Sequence, residues 1–119
     1  MYSERLLDHF RNPRHAGELP LPAVSVEATN PACGDVLRLS VEWVGGRAVS
    51  VGYKVRGCTA SIAAGSALTE LMAGRTRAEI AGIDAGAIEA ELGGLPGHSK
   101  HAAALCLDAV AALLRVMPS

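Results

Sequence analysis

Leu37-Arg38-Leu39-Ser40-Val41-Glu42-Trp43, then Gly45-Gly46, then Val49-Ser50-Val51-Gly52-Tyr53-Lys54-Val55-Arg56 is the stretch that decides the fold. Apolar side chains alternate with polar or small ones along both arms, the period-two pattern of strands with one buried face. Two adjacent glycines can both take positive φ, which a tight hairpin between the arms needs. Just upstream, Val24, Val26 and Ala28 alternate with Ser25 and Glu27 and supply a third strand. A three-stranded antiparallel meander is the simplest topology. Leu37, Leu39, Val41, Trp43, Val49, Val51, Tyr53 and Val55 are predicted to share its buried face.

The chain on either side reads as helix. From Thr59 to Ala73 apolar residues recur at Ile62, Leu68, Leu71 and Met72, and Gly74 supplies a stop. The run Ser61, Ala63, Ala64, Gly65, Ser66, Ala67 keeps this helix thin enough to pack closely on the sheet. Thr76-Arg77-Ala78-Glu79 is a capping-box pattern opening a short helix that stops near Gly82. Asp84 is placed to cap another, reaching Leu92. After the Gly93-Gly94-Leu95-Pro96-Gly97 loop, Ser99 is the predicted cap of a long final helix through Met117, with Leu105, Val110, Leu113, Leu114 and Met117 as its stripe. At the other end, Ser3 caps a short helix carrying Leu6, Leu7 and Phe10, and Asn12-Pro13 ends it. Arg14 to Pro22 reads as an irregular connection. The class is α+β: a three-stranded antiparallel sheet with helices packed on one face, in a single domain over residues 1–119.

Composition narrows the function. Eleven basic and twelve acidic residues leave a net charge of −1, so there is no electrostatic footprint for nucleic acid. The apolar stretches fall far short of the ~20 residues of a membrane span. The opening residues lack the apolar core of a signal peptide, and a cytoplasmic location is expected. Three widely spaced cysteines, an odd count, argue against a disulfide framework.

The three cysteines sit in different settings. Cys33 lies in Asn30-Pro31-Ala32-Cys33-Gly34-Asp35, between two strand patterns, where Gly34 permits a bend that turns Cys33 and Asp35 toward one centre. An equally open reading is a plain turn in which Asp35 bonds backbone amides. Cys58 follows Gly57 where strand changes to helix. A thiol at a helix N-terminus meets unpaired N–H groups and the positive end of the dipole, which favour the thiolate that binds metals. Cys106 lies between Leu105 and Leu107 in the last helix. His101 is in the first turns of that helix, and imidazole is a common metal ligand. Two cysteines, an aspartate and a histidine on three segments form a mixed-ligand set suited to an iron–sulfur cluster or to tetrahedral zinc.

At these residues the chain resembles the NifU/IscU-type iron–sulfur cluster assembly scaffolds. The resemblance is carried by Met-Tyr-Ser-Glu at the start, Asp8-His9-Phe10, Asn12-Pro13-Arg14, Pro31-Ala32-Cys33-Gly34-Asp35-Val36, and Arg56-Gly57-Cys58 leading into the small-residue helix that ends at Gly74-Arg75-Thr76. It implies the same three-stranded sheet with helices packed on it. It also implies a non-enzymatic role: assembly of a transient [2Fe–2S] cluster from iron and sulfur delivered by a cysteine desulfurase, and its transfer to acceptor apo-proteins. Cys33 and Cys58 match two ligand cysteines, Asp35 the aspartate that keeps the cluster transferable, and His101 the histidine before the third cysteine.

That third cysteine is missing. Ala102 stands in its place, and Cys106 follows four positions on, ~40° round the helix and ~6 Å along it. Three outcomes are open: Cys106 serves as a ligand after a helix shift, Cys33, Asp35, Cys58 and His101 suffice, or cluster building is lost. Leu95-Pro96-Gly97-His98-Ser99 shares only two positions with the family's Leu-Pro-Pro-Val-Lys chaperone segment, which counts against a chaperone partner. Zinc is a possible substitute or structural ion. The alternative functions are a zinc-bound persulfide relay, with Cys58 or Cys106 taking sulfur from a desulfurase, and a degenerate member that assembles nothing. A Cys–His thiol hydrolase ranks below these, since no oxyanion hole is evident.

Overall fold

The computed structural model describes residues 2–116. In chain order the elements are α1 (Glu4–Arg11), β1 (Val24–Thr29), β2 (Val36–Val44), β3 (Arg47–Arg56), α2 (Thr59–Met72), α3 (Arg77–Ala81), α4 (Ala85–Glu91), a 3-10 turn (Gly97–Ser99) and α5 (His101–Val116). The strands form one antiparallel sheet in the order β1-β2-β3. This is the expected α+β meander. Gly45 (φ 61°) and Gly46 (φ 78°) turn the β2–β3 hairpin with both residues left-handed, the conformation that made the glycines informative.

One face of the sheet is buried by helices. Leu37, Leu39, Val41, Val51 and Tyr53 point into a shared core with Ala63, Ala64, Ala67 and Leu68 of α2 and Leu105, Ala109 and Leu113 of α5. Each fully buried leucine contributes about 1.5–3 kcal/mol relative to exposure. α2 is the central helix, buried on nearly every side, and packs against α1, β3 and α5. Its thinness has a specific purpose: a Cβ on Gly65 would lie 2.6 Å from Cε2 of Tyr53. No larger residue allows the helix this close to β3.

Two expectations change. Val49 is half exposed, not buried, while Ala48 is fully buried. A register shift at Glu42/Trp43 pairs Trp43 with Ala48 and leaves Val49 as an extra residue in β3. A β-bulge of this kind breaks the period-two alternation by one residue. Nor does Ser99 cap α5. It sits buried in the 3-10 turn, within 3.5 Å of the Tyr2 hydroxyl, and the helix begins at His101. Met117, expected on the α5 stripe, lies outside the described residues.

The other predicted caps hold. Ser3 accepts from the Leu6 N–H, Asp84 from that of Ala87, and Thr76 and Glu79 form a reciprocal capping box. α1 is docked through Leu6, fully buried, and His9. His9 has Nδ1 2.7 Å from Ser66 Oγ and Nε2 3.2 Å from Glu91, tying α1 to α2 and α4. No helix among the described residues is long and apolar enough to cross a membrane.

Candidate functional site

Three chain segments end at one corner of the molecule: the β1–β2 turn, the junction of β3 with α2, and the start of α5. The sheet register brings the first two together. Val36 pairs with Arg56, so Asp35 and Gly57, one step beyond the ladder, stand opposite each other. A Cβ on Gly57 would fall 2.7 Å from both carboxylate oxygens of Asp35. Gly57 is therefore the floor on which that carboxylate rests.

The turn itself is closed by other groups. Asn30 donates its N–H to the Asp35 carbonyl (2.9 Å), its carbonyl accepts from Gly34 (2.7 Å), and its side chain accepts from the Ala32 N–H (2.9 Å). Gly34, at φ 77°, supplies the left-handed residue. With Asn30 doing this local work, the Asp35 side chain is free to face away from the turn. The Asp35 side chain reaches across to Cys58 and Ser61 at the start of α2. Cys33 projects from the same turn and is exposed.

Cys58 is the N-cap residue of α2, but its side chain makes no capping bond. The Asp35 carboxylate takes over part of that role: Oδ2 accepts from the Cys58 N–H at 3.3 Å and from the Ser61 hydroxyl at 2.7 Å. A carboxylate at a helix N-terminus also meets the favourable end of the dipole. Burial alone would raise the Asp35 pKa. Hydrogen bonding by Ser61, Cys58 and Cys33 outweighs it and holds the carboxyl below its ordinary value.

His101, the first residue of α5, completes the corner. Its Nε2 is 3.5 Å from Cys58 Sγ and 3.8 Å from Asp35 Oδ2. Among the described residues, Cys33, Asp35 and His101 form a cluster whose ligand atoms all lie within 4.8 Å of one another. Metal–ligand bonds of ~2.0–2.3 Å place tetrahedral donors on the order of 3.5 Å apart. The Cys58–His101 spacing matches, and Cys58, which is not one of the three clustered residues, adjoins them through His101. Thiol, carboxylate and imidazole so arranged suit a thiophilic metal.

The structure thus brings together Cys33, Asp35, Cys58 and His101, and it separates Cys106 from them. Cys106 is 1% exposed in the core, outside the cluster, and burial pushes its thiol up to about 12. A thiol packed among apolar side chains in this way neither meets solvent nor joins the rim. Ala102 is fully buried. Two contributors escaped sequence reading, Ser61 and Gly57. Ser61 had been read only as a small packing residue, although its place three residues after the N-cap put it within reach of that cap.

Comparison with known proteins identifies the family. Residues 1–116 match the NifU-like N terminal domain family. The chain is 47% identical over 112 residues to the bifunctional protein NifU/MnmA of Rubrobacter xylanophilus, covering 92% of this chain but only 23% of that protein's length. It is 38% identical over 119 residues to the iron–sulfur cluster assembly scaffold protein IscU of Azotobacter vinelandii, covering 96% of this chain and 91% of the relative. The fold matches the N-terminal NifU-like protein of Brucella abortus with a TM-score of 0.72 at 19% identity, covering 95% of this chain and 91% of that one. The chain belongs to the family of NifU-like N-terminal domains.

Proposed function

We propose that this protein is a scaffold that assembles a transient [2Fe–2S] cluster and passes it to acceptor apo-proteins. The observation that carries the reading is the convergence of Cys33, Asp35, Cys58 and His101 on one partly exposed corner. The relatives named as assembly scaffolds, at 34–38% identity over most of this chain, support it. The cluster is cargo here, and the site is built for holding without keeping. Cys33 lies open to a delivering partner, a cysteine desulfurase in this reading. Two thiolates, a carboxylate and an imidazole provide fewer sulfur ligands than four cysteines would. A weaker grip on soft metal favours release. The role asks for no catalysis by the chain itself.

The burial of Cys106 bears on the ligand count. In this proposal Cys33, Asp35, Cys58 and His101 hold the cargo without a third thiolate, and Ala102 is tolerated. Cys106 belongs to the core and neither binds cluster nor accepts sulfur.

The test is anaerobic purification followed by assay of iron, acid-labile sulfide and zinc per chain, with a visible spectrum. Iron and sulfide in equal amounts, with absorption typical of [2Fe–2S], is the expected result after reconstitution. Zinc that resists replacement by iron and sulfide would instead favour a persulfide relay. No metal under either condition would overturn the proposal in favour of a member that assembles nothing.

A further inference from the structure

We infer that Ser61 is a positioning residue for cargo binding, holding the Asp35 carboxylate in place before metal arrives. The inference rests on the reading of Cys33, Asp35, Cys58 and His101 as ligands. Ser61 is 1% exposed, in the first turn of α2. Its hydroxyl donates to Asp35 Oδ2 at 2.7 Å and stands 3.4 Å from Cys58 Sγ, whose thiol donates to it. One buried hydroxyl therefore bridges two of the four ligands. A hydroxyl can do this because it donates and accepts at once.

The alternative, a serine serving its own helix, does not fit these bonds. Ser61 Oγ is engaged with Asp35 and Cys58, not with a backbone group of α2. Ser61 is the first of the hydrogen-bond donors to this carboxylate, ahead of Cys58 and Cys33. Gly57 blocks one side, and the Cys58 N–H adds a longer bond of 3.3 Å to the same oxygen. Without Ser61 the shorter of the two bonds to Oδ2 disappears and the carboxylate is held less firmly. Ligands held by a hydrogen-bonding neighbour bind metal more tightly because less ordering remains to be done on binding.

The experiment is anaerobic Co2+ titration, read from thiolate-to-metal charge transfer and ligand-field bands, on the unaltered protein, Ser61→Ala, Asp35→Ala and the double variant. Ser61→Ala is expected to bind Co2+ about 10–100-fold more weakly, with displaced ligand-field bands. In the Asp35→Ala background the same change should alter affinity less than about twofold, since coupled residues lose their effect together. If Ser61→Ala leaves affinity and bands unchanged, the role is overturned while the ligand set stands. A loss that persists undiminished in the Asp35→Ala background also overturns it. Failure of the unaltered protein to bind Co2+ overturns the ligand set, and the role of Ser61 with it. Should Ser61→Ala not fold, Ser61→Thr and Ser61→Val give the comparison at matched shape. The threonine variant is expected to bind like the parent and the valine variant like the alanine one; equal binding by both would overturn the role.

Discussion

Cys58 and Cys106 are the same side chain placed in two regions of the molecule, the corner where three segments end and the core beneath the sheet. At the corner, Cys58 is partly exposed and lies 3.5 Å from the His101 ring and 3.4 Å from the Ser61 hydroxyl. In the core, Cys106 is 1% exposed, packed with apolar residues and pushed up to about 12. Tyr53, in the same core, is also pushed up to about 12, mainly by burial. The corner gives its thiol polar partners and access; the core keeps Cys106 from solvent. A thiol's chemistry is therefore set by its surroundings, and Cys106, four residues after Ala102, lies in the core and not at the corner.

The contrast is open to direct attack. The largest expected effect is on thiol labelling. A water-soluble thiol reagent should modify Cys33 and Cys58 promptly in the native protein. Cys106 should react at least on the order of 10³-fold more slowly, through opening of the core. Mass-spectrometric mapping reads this, and prompt modification of Cys106 would dissolve the distinction. Next comes Cys33→Ala. Loss of a ligand should weaken Co2+ binding by more than the about 10–100-fold that loss of a ligand's hydrogen-bond partner costs. Stability should move less than about 0.5 kcal/mol, because the residue is exposed. The smallest change belongs to the core. Cys106→Ser leaves a hydroxyl where the thiol was packed, and denaturant unfolding should show a loss of about 1–3 kcal/mol. Co2+ affinity should stay within about twofold of the parent. A variant that kept its stability but lost metal would place Cys106 at the site after all.

Much of the architecture was legible because its signals are local. Strand alternation, two adjacent glycines and the caps at Ser3, Thr76 and Asp84 depend on residues a few positions apart. The misreadings came where distant segments meet. The bulge that turns Val49 outward arises from pairing with β2, and the start of α5 depends on the turn that buries Ser99. His9 is 3% exposed and locks α1 against α2 and α4, partners far along the chain.

The candidate site divides in the same way. By itself, the sequence determined which groups were available: a Cys-Gly-Asp turn, a Gly-Cys step into a helix, and a histidine at the start of the last helix. It also determined the small-residue face that lets α2 lie against β3. Only the tertiary structure decided which of these groups share a corner, that Ser61 bridges two of them, and that Cys106 lies apart. The reason is physical. Backbone preferences act over one turn or one hairpin, whereas solvent access and hydrogen bonding depend on what the rest of the chain brings alongside.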